Sequence, residues 1–404
     1  MSYQVYNAVV APTTPASGKS TEYVSTAGEP HFINDQGIDA NLISNQKKNY
    51  IRNSGMWFAQ RQAPATPTVY STVGGRLVTA DGWGISNENA SAQYARVDTA
   101  SAAETGLAGR FYGQFTKLTS AGKLAICQVI EGTDSSEMRG QNVRVQFWAK
   151  GIVTASATWR VGLVQLTNAA SVDTVPSGAG QFLTAFGVAS TDPTLGGSLI
   201  YTAPKATVTP DNGTIVGTAA NVTVTSAGWQ RFGAVFTLPT TFVNLTVMIW
   251  SDAQVAATAG ISISQVSLTV GQEIQDWVPP STQVELARVQ RYYCKSFNVD
   301  TAPVQNAGLV GVVRGAVSVA GAIAAQPVGI RFPVALRAGA SVLVTFYNPS
   351  AANAFVRNTT AGTDSTTAAP FFMGENGGDC QFTGIAAWTA SQSVAVHYTA
   401  DVEL

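Results

Sequence analysis

Short runs of alternating apolar and polar residues recur along the chain, and they predict β-strands. A period of two places every second side chain on the same face of a strand. The stretches Asn142–Lys150, Gln230–Leu238 and Val243–Trp250 follow this period most clearly. Their predicted inward-facing residues are Val143, Val145, Phe147, Ala149, Phe232, Ala234, Phe236, Leu238, Val243, Leu245, Val247 and Ile249. Because the opposite faces are more polar, the pattern indicates antiparallel strands with one buried face.

Turn-forming residues separate these runs throughout the sequence. The chain has 38 Gly and 17 Pro, a frequency typical of sandwich or barrel architectures. A convincing helix is predicted over Gln283–Tyr293, with Ser281 as a candidate N-cap after Pro279-Pro280. The predicted fold class is therefore all-β, with a jelly-roll β-sandwich, a short connector helix and a second C-terminal β-sandwich. An extended N-terminal attachment segment precedes them.

Changes in composition along the chain predict three regions. Residues 1–45 are interrupted by Pro and Gly, have too little apolar content for a core, and contain strand-like pieces at Thr21–Ser25 and His31–Asn34. Residues 46–278 carry many closely spaced strands and predict the jelly roll. Residues 279–404 hold the connector helix and the second, smaller sandwich. We expect residues 1–45 to order against a partner surface.

The charge content excludes some partners and favours others. Charged residues make up 12% of the chain, against about 25% in ordinary globular proteins. A surface poor in charge suits a chain that packs against copies of itself. The formal net charge of −1 argues against nucleic acid, whose phosphates require clustered Lys and Arg. Without an apolar run of about 18 residues or a visible signal peptide, we expect synthesis in a cytoplasm and no membrane insertion.

Residues able to carry out catalysis are scattered along the sequence. Cys127, Cys294 and Cys380 lack the spacing of a metal site and predict buried free thiols. His31 and His397 lie in opposite end segments and predict structural roles. Because a catalytic site needs positioned acids, bases or nucleophiles, we expect no enzyme activity, no catalytic residue and no cofactor.

Four carboxylates leave two alternatives open. Glu131, Asp134 and Glu137 fall close together, and Asp252 lies beside Trp250. Paired carboxylates are the machinery of glycosidases, and clustered oxygen ligands suit calcium. Glycan-cleaving spikes usually need a long β-helix, and this chain shows no repeat of that kind. The cluster is better interpreted as an exposed turn, with a calcium-binding loop as the alternative, and no residue is assigned as a metal ligand.

Two tryptophans are the candidate glycan contacts. Trp159 and Trp250 lie on the polar phase of their predicted strands, where an indole ring can stack on a sugar. Arg160 follows the first, and Asp252 lies near the second. These neighbours supply hydrogen-bonding groups for sugar hydroxyls.

Other aromatic and basic residues favour packing over ligand binding. Tyr292 and Tyr293 are adjacent in the predicted helix and should face different ways. Arg288 and Arg291 should share one helix face, either toward solvent or toward carboxylates across an oligomer axis. The tryptophans expected to complete cores or subunit contacts are Trp83, Trp148 and Trp229.

Several segments together resemble virion proteins of bacteriophages. The match is to tail fibres and related proteins that contain a jelly-roll domain like a carbohydrate-binding module. The segments that carry it, in order, are Asn49–Met56, Ala80–Trp83, Gln128–Gly132, Met138–Gln141, Val145–Lys150, Gly228–Phe232 and Glu285–Ser296. Pro15–Lys19 is similar to short segments at the head of such fibres, and Val289 stands where relatives often have cysteine. Each motif is short, but their order over most of the chain is specific.

The resemblance implies a homotrimeric fibre or spike displayed on a phage particle, on the tail, neck or head. Residues 1–45 would join another virion protein, and the β domains would adhere to a host-surface glycan. The predicted location is the virion, after synthesis in the host cytoplasm. The alternatives are a capsid decoration or head fibre without a receptor role, a glycan-degrading spike, and a binding module of a cellular protein.

Overall fold

A computed structural model shows 47% strand and 6% helix, which confirms the all-β fold class. It describes residues 8–9, 20–25, 30–34, 39–41, 48–62, 66–71, 77–89, 91–102, 107, 109–153, 157–166, 182–189, 191–196, 199–201, 206–207, 209–210, 223–224, 228–323, 326–337 and 342–403. The chain divides into two compact units, Met1–Lys48 and Asn49–Leu404. Both predicted sandwiches belong to the second unit, and the boundaries at 45 and 278 stay predictions.

The first unit contains one small sheet. Its strands, in spatial order, are β1 (Ala8–Val9), β2 (Ser20–Ser25), β3 (Pro30–Asn34) and β4 (Asp39–Asn41). β1 runs parallel to β2, and the other pairs are antiparallel. The strand-like pieces expected at Thr21–Ser25 and His31–Asn34 lie within β2 and β3. The attachment role of this unit stays a prediction.

The first sandwich of the second unit contains two large antiparallel sheets. Its strands are β5 (Thr68–Tyr70), β6 (Leu77–Val78), β7 (Gly84–Asn87), β8 (Ala92–Asp98), β9 (Phe111–Lys117), β10 (Leu124–Ile130), β11 (Asn142–Ile152), β12 (Ala157–Leu166), β13 (Leu183–Ala185), β14 (Thr194–Leu195), β15 (Leu199–Tyr201), β16 (Ala206–Thr207), β17 (Thr209–Pro210), β18 (Thr223–Val224), β19 (Gln230–Thr237), β20 (Asn244–Ser251) and β21 (Gly260–Val270). Sheet I has the order β15-β12-β20-β10-β7-β6, and β16 and β18 also pair with β12. Sheet II has the order β17-β19-β11-β21-β9-β8-β5, and β13 pairs with β14 in a separate hairpin.

A single apolar core lies between sheets I and II. The predicted inward-facing residues are buried in this core except Val243, which precedes β20 and is partly exposed. Phe232 and Phe236 are fully buried, and burial of each such ring contributes about 1.5–3 kcal/mol. The predicted jelly-roll sandwich is therefore confirmed as a two-sheet antiparallel sandwich with the expected faces inward.

The outer face of sheet I is also covered, which the alternating pattern did not predict. All eight residues of β20 are buried. On its outer side Met248 and Trp250 pack with Cys127 and with Phe182 and Leu199 of an additional layer formed by residues 182–189, 191–196 and 199–201. The expectation of one solvated face is wrong for the central strands of this sheet, because the segment between β12 and β20 covers them.

The outer face of sheet II carries buried polar residues. Arg144 Nη1 donates a hydrogen bond to Gln272 O at 3.0 Å. Gln146 Oε1 accepts one from Gln275 N at 2.9 Å. The segment that follows β21 therefore supplies hydrogen-bond partners to two polar side chains of β11, and such partners offset the cost of burying polar groups.

A short helix leads into the second sandwich. α1 (Thr99–Ala102) and α2 (Gly132–Ser135) are single turns, and Ser136–Met138 forms a 3₁₀ turn. The connector helix α3 spans Thr282–Gln290 with Ser281 as its N-cap, so the helix predicted over Gln283–Tyr293 exists but ends three residues earlier. Among the described residues, no helix has the length and apolar character needed to cross a membrane.

The second sandwich is built around the C-terminal strand. Its strands are β22 (Tyr293–Lys295), β23 (Val313–Ala316), β24 (Gln326–Arg331), β25 (Leu343–Tyr347), β26 (Arg357–Asn358), β27 (Thr363–Asp364), β28 (Thr367–Gly374), β29 (Gly377–Thr383) and β30 (Ser393–Asp401). β30 pairs with β22, β23, β25 and β26, and a three-stranded sheet β24-β29-β28 packs against this sheet. Val344, Val396, Val328 and Phe382 contribute to the separate core between the two sheets.

Candidate functional site

Buried charged residues join the two sandwiches. Arg61 of the first sandwich contacts Asp81 at 3.5 Å and, from the end of the second, Asp401 and Glu403 at 2.8 Å each. Its guanidinium also lies over the Tyr293 ring, 3.9 Å from the centroid. Removing one partner of a buried ion pair is strongly destabilising, so these contacts hold the sandwiches in one arrangement.

A second polar cluster extends the same joint. Arg291 Nε and Nη2 each donate to the Glu131 carboxylate at 3.2 Å, and the Tyr292 hydroxyl donates to it as well. Arg52 lies over the Tyr292 ring at 3.7 Å. Burial alone would raise the pKa of Glu131, but the hydrogen bonds from Arg291 and Tyr292 lower that pKa below its ordinary value. Glu131 is therefore an ionised structural residue.

Lys295 fixes the loop that follows β22. Its Nζ donates to Gln60 O at 2.6 Å, Val299 O at 2.9 Å and Thr301 O at 2.6 Å. Burial lowers the pKa of this ammonium group to about 8. Because the three carbonyls come from both sandwiches, Lys295 holds the 299–301 loop beside the first sandwich.

An open cleft of about 360 Å³ lies beside this joint. The first sandwich contributes Trp57 and Phe111, the connecting segment contributes Trp277 and Thr282, and the second sandwich contributes Asp300. Ligand sites are commonly concave, mostly apolar and lined by a few polar groups, and they favour domain boundaries. Among the described residues, this cleft is the strongest candidate for a binding site.

Two tryptophans form the apolar wall of the cleft. The Trp57 and Trp277 rings meet edge to face, with centroids 6.3 Å apart and planes at 87°. Trp277 Nε1 donates to Ser54 Oγ at 3.1 Å, which fixes the orientation of that indole. A Cβ at Gly55 would lie 2.7 Å from Trp57 Nε1 and 3.1 Å from Trp277 Cζ2, so a larger residue there would displace the indole rings. Both rings remain partly exposed and offer apolar surface to a ligand.

Arg96 organises the polar side of the cleft. Its Nη1 donates to the Trp57 carbonyl, and its Nη2 donates to Asp300 Oδ1 at 2.7 Å. The Arg96 side chain is 7% exposed, whereas that of Asp300 is 64% exposed. The guanidinium groups of Arg96 and Arg110 lie 4.8 and 4.9 Å from the Phe111 centroid. The buried Arg96 thus holds the carboxylate of Asp300 in a position that a ligand can reach.

Arg110 supplies accessible hydrogen-bond donors at the rim. Its side chain is 71% exposed, and its Nε and Nη2 donate to Asp98 Oδ2 at 3.2 Å. A hydrogen bond from the Ala100 backbone N–H, together with Arg110, lowers the pKa of Asp98 below its ordinary value. A glycosidase requires a carboxyl that stays protonated as an acid, and Asp98 is held in the opposite state. The cleft is therefore equipped to bind a polar ligand that has an apolar face.

The tryptophans predicted to contact glycan are buried. Trp159 is 0% exposed in the core between sheets I and II, where it shares its face with Val161 and Leu163. Trp250 is 0% exposed beneath the layer that contains Phe182 and Leu199. Neither ring lies on a solvent-facing side of its strand, so the premise of the prediction was wrong. A sugar contact at either ring stays a prediction, but the exposed indole surface on which it was based is absent at both residues. Arg160 and Asp252 pair with each other at 2.7 Å.

The residues predicted around the connector helix pair within the chain. Arg288 contacts Glu285 at 3.0 Å, and Arg291 contacts Glu131, so neither is a free solvent residue. Tyr292 follows α3, and Tyr293 begins β22, so the prediction that both lie on the helix is wrong. The chain turns out of the helix before these rings.

The remaining predicted residues occupy structural positions. Cys127, Cys294 and Cys380 are buried thiols that form no disulfide, as predicted. His397 Nδ1 hydrogen-bonds with Ser296 Oγ at 2.9 Å, and burial lowers the pKa of its imidazole. Trp83 and Trp229 are buried, Trp148 is partly exposed, and the side chain of His31 lies outside the described residues.

The carboxylate cluster considered for calcium does not form an exposed turn. Glu131 is buried in the joint, while Glu137 is exposed and accepts a hydrogen bond from the Tyr50 hydroxyl at 2.9 Å. In the part of the chain described by the structure, no group of three His, Cys, Asp or Glu side chains is arranged to hold a metal ion. Calcium binding at Glu131, Asp134 and Glu137 therefore has no geometric support.

Sequence reasoning missed every residue of the cleft. Trp57 and Trp277 are 220 positions apart, and Arg96 and Asp300 are 204 apart. A hydrophobic pattern reports which face of an element is buried, but it does not report which distant loops meet. The available signal was Trp277 itself, a large aromatic residue just before Pro279-Pro280 in a segment without alternation.

Comparison with known proteins found similarity in solved structures alone. No family model and no curated protein matches the chain. A Clostridium thermocellum xylanase 10B structure containing CBM22-1 and GH10 modules with xylohexaose has a TM-score of 0.28 and 13% identity, covering 54% of this chain and 30% of that one. TmCBM61 in complex with beta-1,4-galactotriose has a TM-score of 0.25 and 10% identity, covering 55% of this chain and 99% of that one.

A phage protein is also among the similar structures. The enzymatically active domain of bacteriophage CBA120 tailspike protein 4 has a TM-score of 0.25 and 13% identity, covering 55% of this chain and 21% of that one. The present chain thus spans less than a third of the xylanase and of the tailspike. Similarity at such low TM-scores does not indicate a function. The function is therefore inferred from the strands, cores and cleft of this chain.

Proposed function

We propose that this chain is a non-enzymatic structural subunit of a bacteriophage particle, a trimeric fibre or spike that adheres to a surface glycan through the aromatic cleft. The cleft is the observation that carries the adhesion role. A sugar ring has an apolar face, which can pack on an indole ring. It also has hydroxyl groups, which need hydrogen-bond partners. Trp57 and Trp277 supply the first, and Asp300 and Arg110 supply the second.

The role in a virion is supported by the order of the sequence motifs. The segments Asn49–Met56 and Glu285–Ser296, which resemble parts of phage fibres, meet in the joint: Arg52 lies over Tyr292, and Asn53 N donates to Glu285. A joint built from buried ion pairs suits a rigid displayed subunit. Trimer formation would raise the apparent affinity of a weak site through multivalency.

A binding role is favoured over glycan cleavage by the state of the rim carboxylate Asp98. Its pKa is lowered by hydrogen bonds from the Ala100 backbone N–H and from Arg110, which lies 3.2 Å away. Guanidinium partners stabilise ionised carboxylates and disfavour the protonated acid that glycoside hydrolysis requires. We therefore propose that a bound glycan is retained without being cut.

A glycan array with the full chain and its Trp277→Ala variant tests the adhesion role. Removing a central aromatic anchor should cost at least about 2 kcal/mol, or about 30-fold in affinity. Val188→Ala is the control, because Val188 is 72% exposed in the layer over sheet I and is not a cleft residue. Equal binding by the two variants would contradict adhesion through the cleft. Release of reducing ends from a bound glycan would contradict the non-enzymatic role.

A further inference from the structure

The charged groups of the cleft neutralise one another. Arg96 is paired with Asp300 at 2.7 Å, and Arg110 is paired with Asp98 at 3.2 Å. Two guanidinium groups and two carboxylates give a formal charge of zero at the polar side. An acidic sugar would have to compete with Asp300 for Arg96, or with Asp98 for Arg110. It would also bring its own charge close to the two resident carboxylates.

The cleft is also unsuited to an organic cation. Aromatic walls can attract quaternary ammonium groups through their π faces. Here the Phe111 ring already has two guanidinium groups within 4.9 Å of its centroid, those of Arg96 and Arg110. An organic cation would have to displace one of these groups to reach the π face of Phe111. The aromatic residues therefore serve as apolar surface.

An uncharged polyol matches the accessible groups. A hydroxyl is both a donor and an acceptor, so neighbouring hydroxyls can donate to Asp300 and accept from Arg110. The side chains of these two residues are 64% and 71% exposed, so a ligand can reach them without breaking either ion pair. The volume of about 360 Å³ is near the small end of ligand sites, which suits a short glycan segment.

We infer that the cleft selects uncharged sugar residues over uronic acids and over quaternary ammonium groups. This inference rests on the proposed glycan adhesion and specifies its ligand class. Asp300 determines the selectivity: it accepts from neutral hydroxyls, occupies Arg96 and repels a carboxylate on the ligand. Its removal should relax the discrimination, because Arg96 would then be available to an acidic sugar.

Matched probes test the selectivity with the full chain. Galacto-oligosaccharides are compared with oligogalacturonides of the same length, and choline serves as the cationic probe. We expect the neutral oligosaccharide to bind at least tenfold more tightly than its uronate partner, and choline not to compete. Asp300→Asn should narrow the neutral-to-uronate ratio severalfold. Glu375→Gln, an exposed carboxylate in the β28–β29 turn, should leave the ratio unchanged.

The outcomes separate the inference from the proposed function. Uronate binding that equals or exceeds neutral binding, and that falls in Trp277→Ala, would overturn the selectivity while leaving adhesion in place. Competition by choline would also overturn it. If Trp277→Ala leaves the binding of every probe unchanged, both the selectivity and the adhesion through the cleft are overturned. The same conclusion follows if the protein binds no gluco-, xylo- or galacto-oligosaccharide. Arg110→Ala, which changes a side chain that is 71% exposed, gives a second cleft variant if Trp277→Ala does not fold.

Discussion

Asp81 is the residue whose ionisation should be visible in the stability of the protein. Its carboxylate is 0% exposed and accepts hydrogen bonds from Gln60 Nε2 at 2.8 Å and Gln60 N at 3.1 Å. Burial raises its pKa from 3.8 to about 6, although Arg61 opposes the rise. The folded state therefore binds more protons than the unfolded state between these values.

The sign of the resulting pH dependence follows from that excess of protons. The contribution of Asp81 to the free energy of unfolding is greatest below pH 3.8 and falls as the pH rises through about 6. A shift of this size corresponds to about 3 kcal/mol. In Asp81→Asn this part of the decline should disappear, as measured by urea unfolding at a series of pH values. Glu375→Gln is the control, and a variant profile parallel to wild type would show that Asp81 does not titrate there.

At the scale of single residues, sequence reasoning predicted burial well and exposure poorly. Phe147 and Phe232 lie in the core as the period of two requires. Trp159 and Trp250 were assigned to the outer phase, and both are fully buried. Trp159 lies in the core between the sheets with Val161 and Leu163, so its phase was assigned wrongly. Trp250 lies on the outer face, and the pattern within a strand does not report that another segment, which includes Phe182 and Leu199, covers that face.

At the scale of elements, α3 should depend on Glu285 more than on its helical propensity. The Glu285 side chain is 1% exposed, accepts from Asn53 N and pairs with Arg288 at 3.0 Å. Glu285→Ala leaves the buried Asn53 N–H without its acceptor, which costs about 1–3 kcal/mol. This loss should exceed the gain in helix propensity from alanine. Urea unfolding measures the change in the free energy of unfolding.

Val284→Ala in the same helix is the control that distinguishes the stability contributed by the Glu285–Asn53 contact from the stability contributed by the helix itself. Val284 is 56% exposed, and surface substitutions usually change stability by less than about 0.5 kcal/mol. Equal effects of the two substitutions would mean that α3 is held by its own turns and not by Asn53. The existence and N-cap of this helix were predictable from Ser281 and the residues after it. Its contact with Asn53, which is 232 positions away, was not.

At the scale of the molecule, the second unit should fold without the first. Residues 49–404 contain both sandwiches, each with its own core, and the joint between them. We expect deletion of residues 1–45 to leave a soluble β protein with a thermal midpoint close to that of the full chain. The same variant should fail to join phage particles if this segment is the attachment site. Unfolding on deletion, seen by circular dichroism, would show that the first unit contributes to the main fold.

The proposed trimer can be tested by measuring the mass of the purified protein in solution. Charged residues are 12% of the chain, and the second sandwich exposes apolar side chains such as Phe372 at 79% and Val310 at 70%. Such surface favours burial against other copies, because charge is depleted where subunits meet. Light scattering of the purified protein should give about three times the chain mass of 42.1 kDa. A mass of one chain at micromolar concentration would contradict a fibre that trimerises by itself, and would favour a decoration protein that assembles only on the particle.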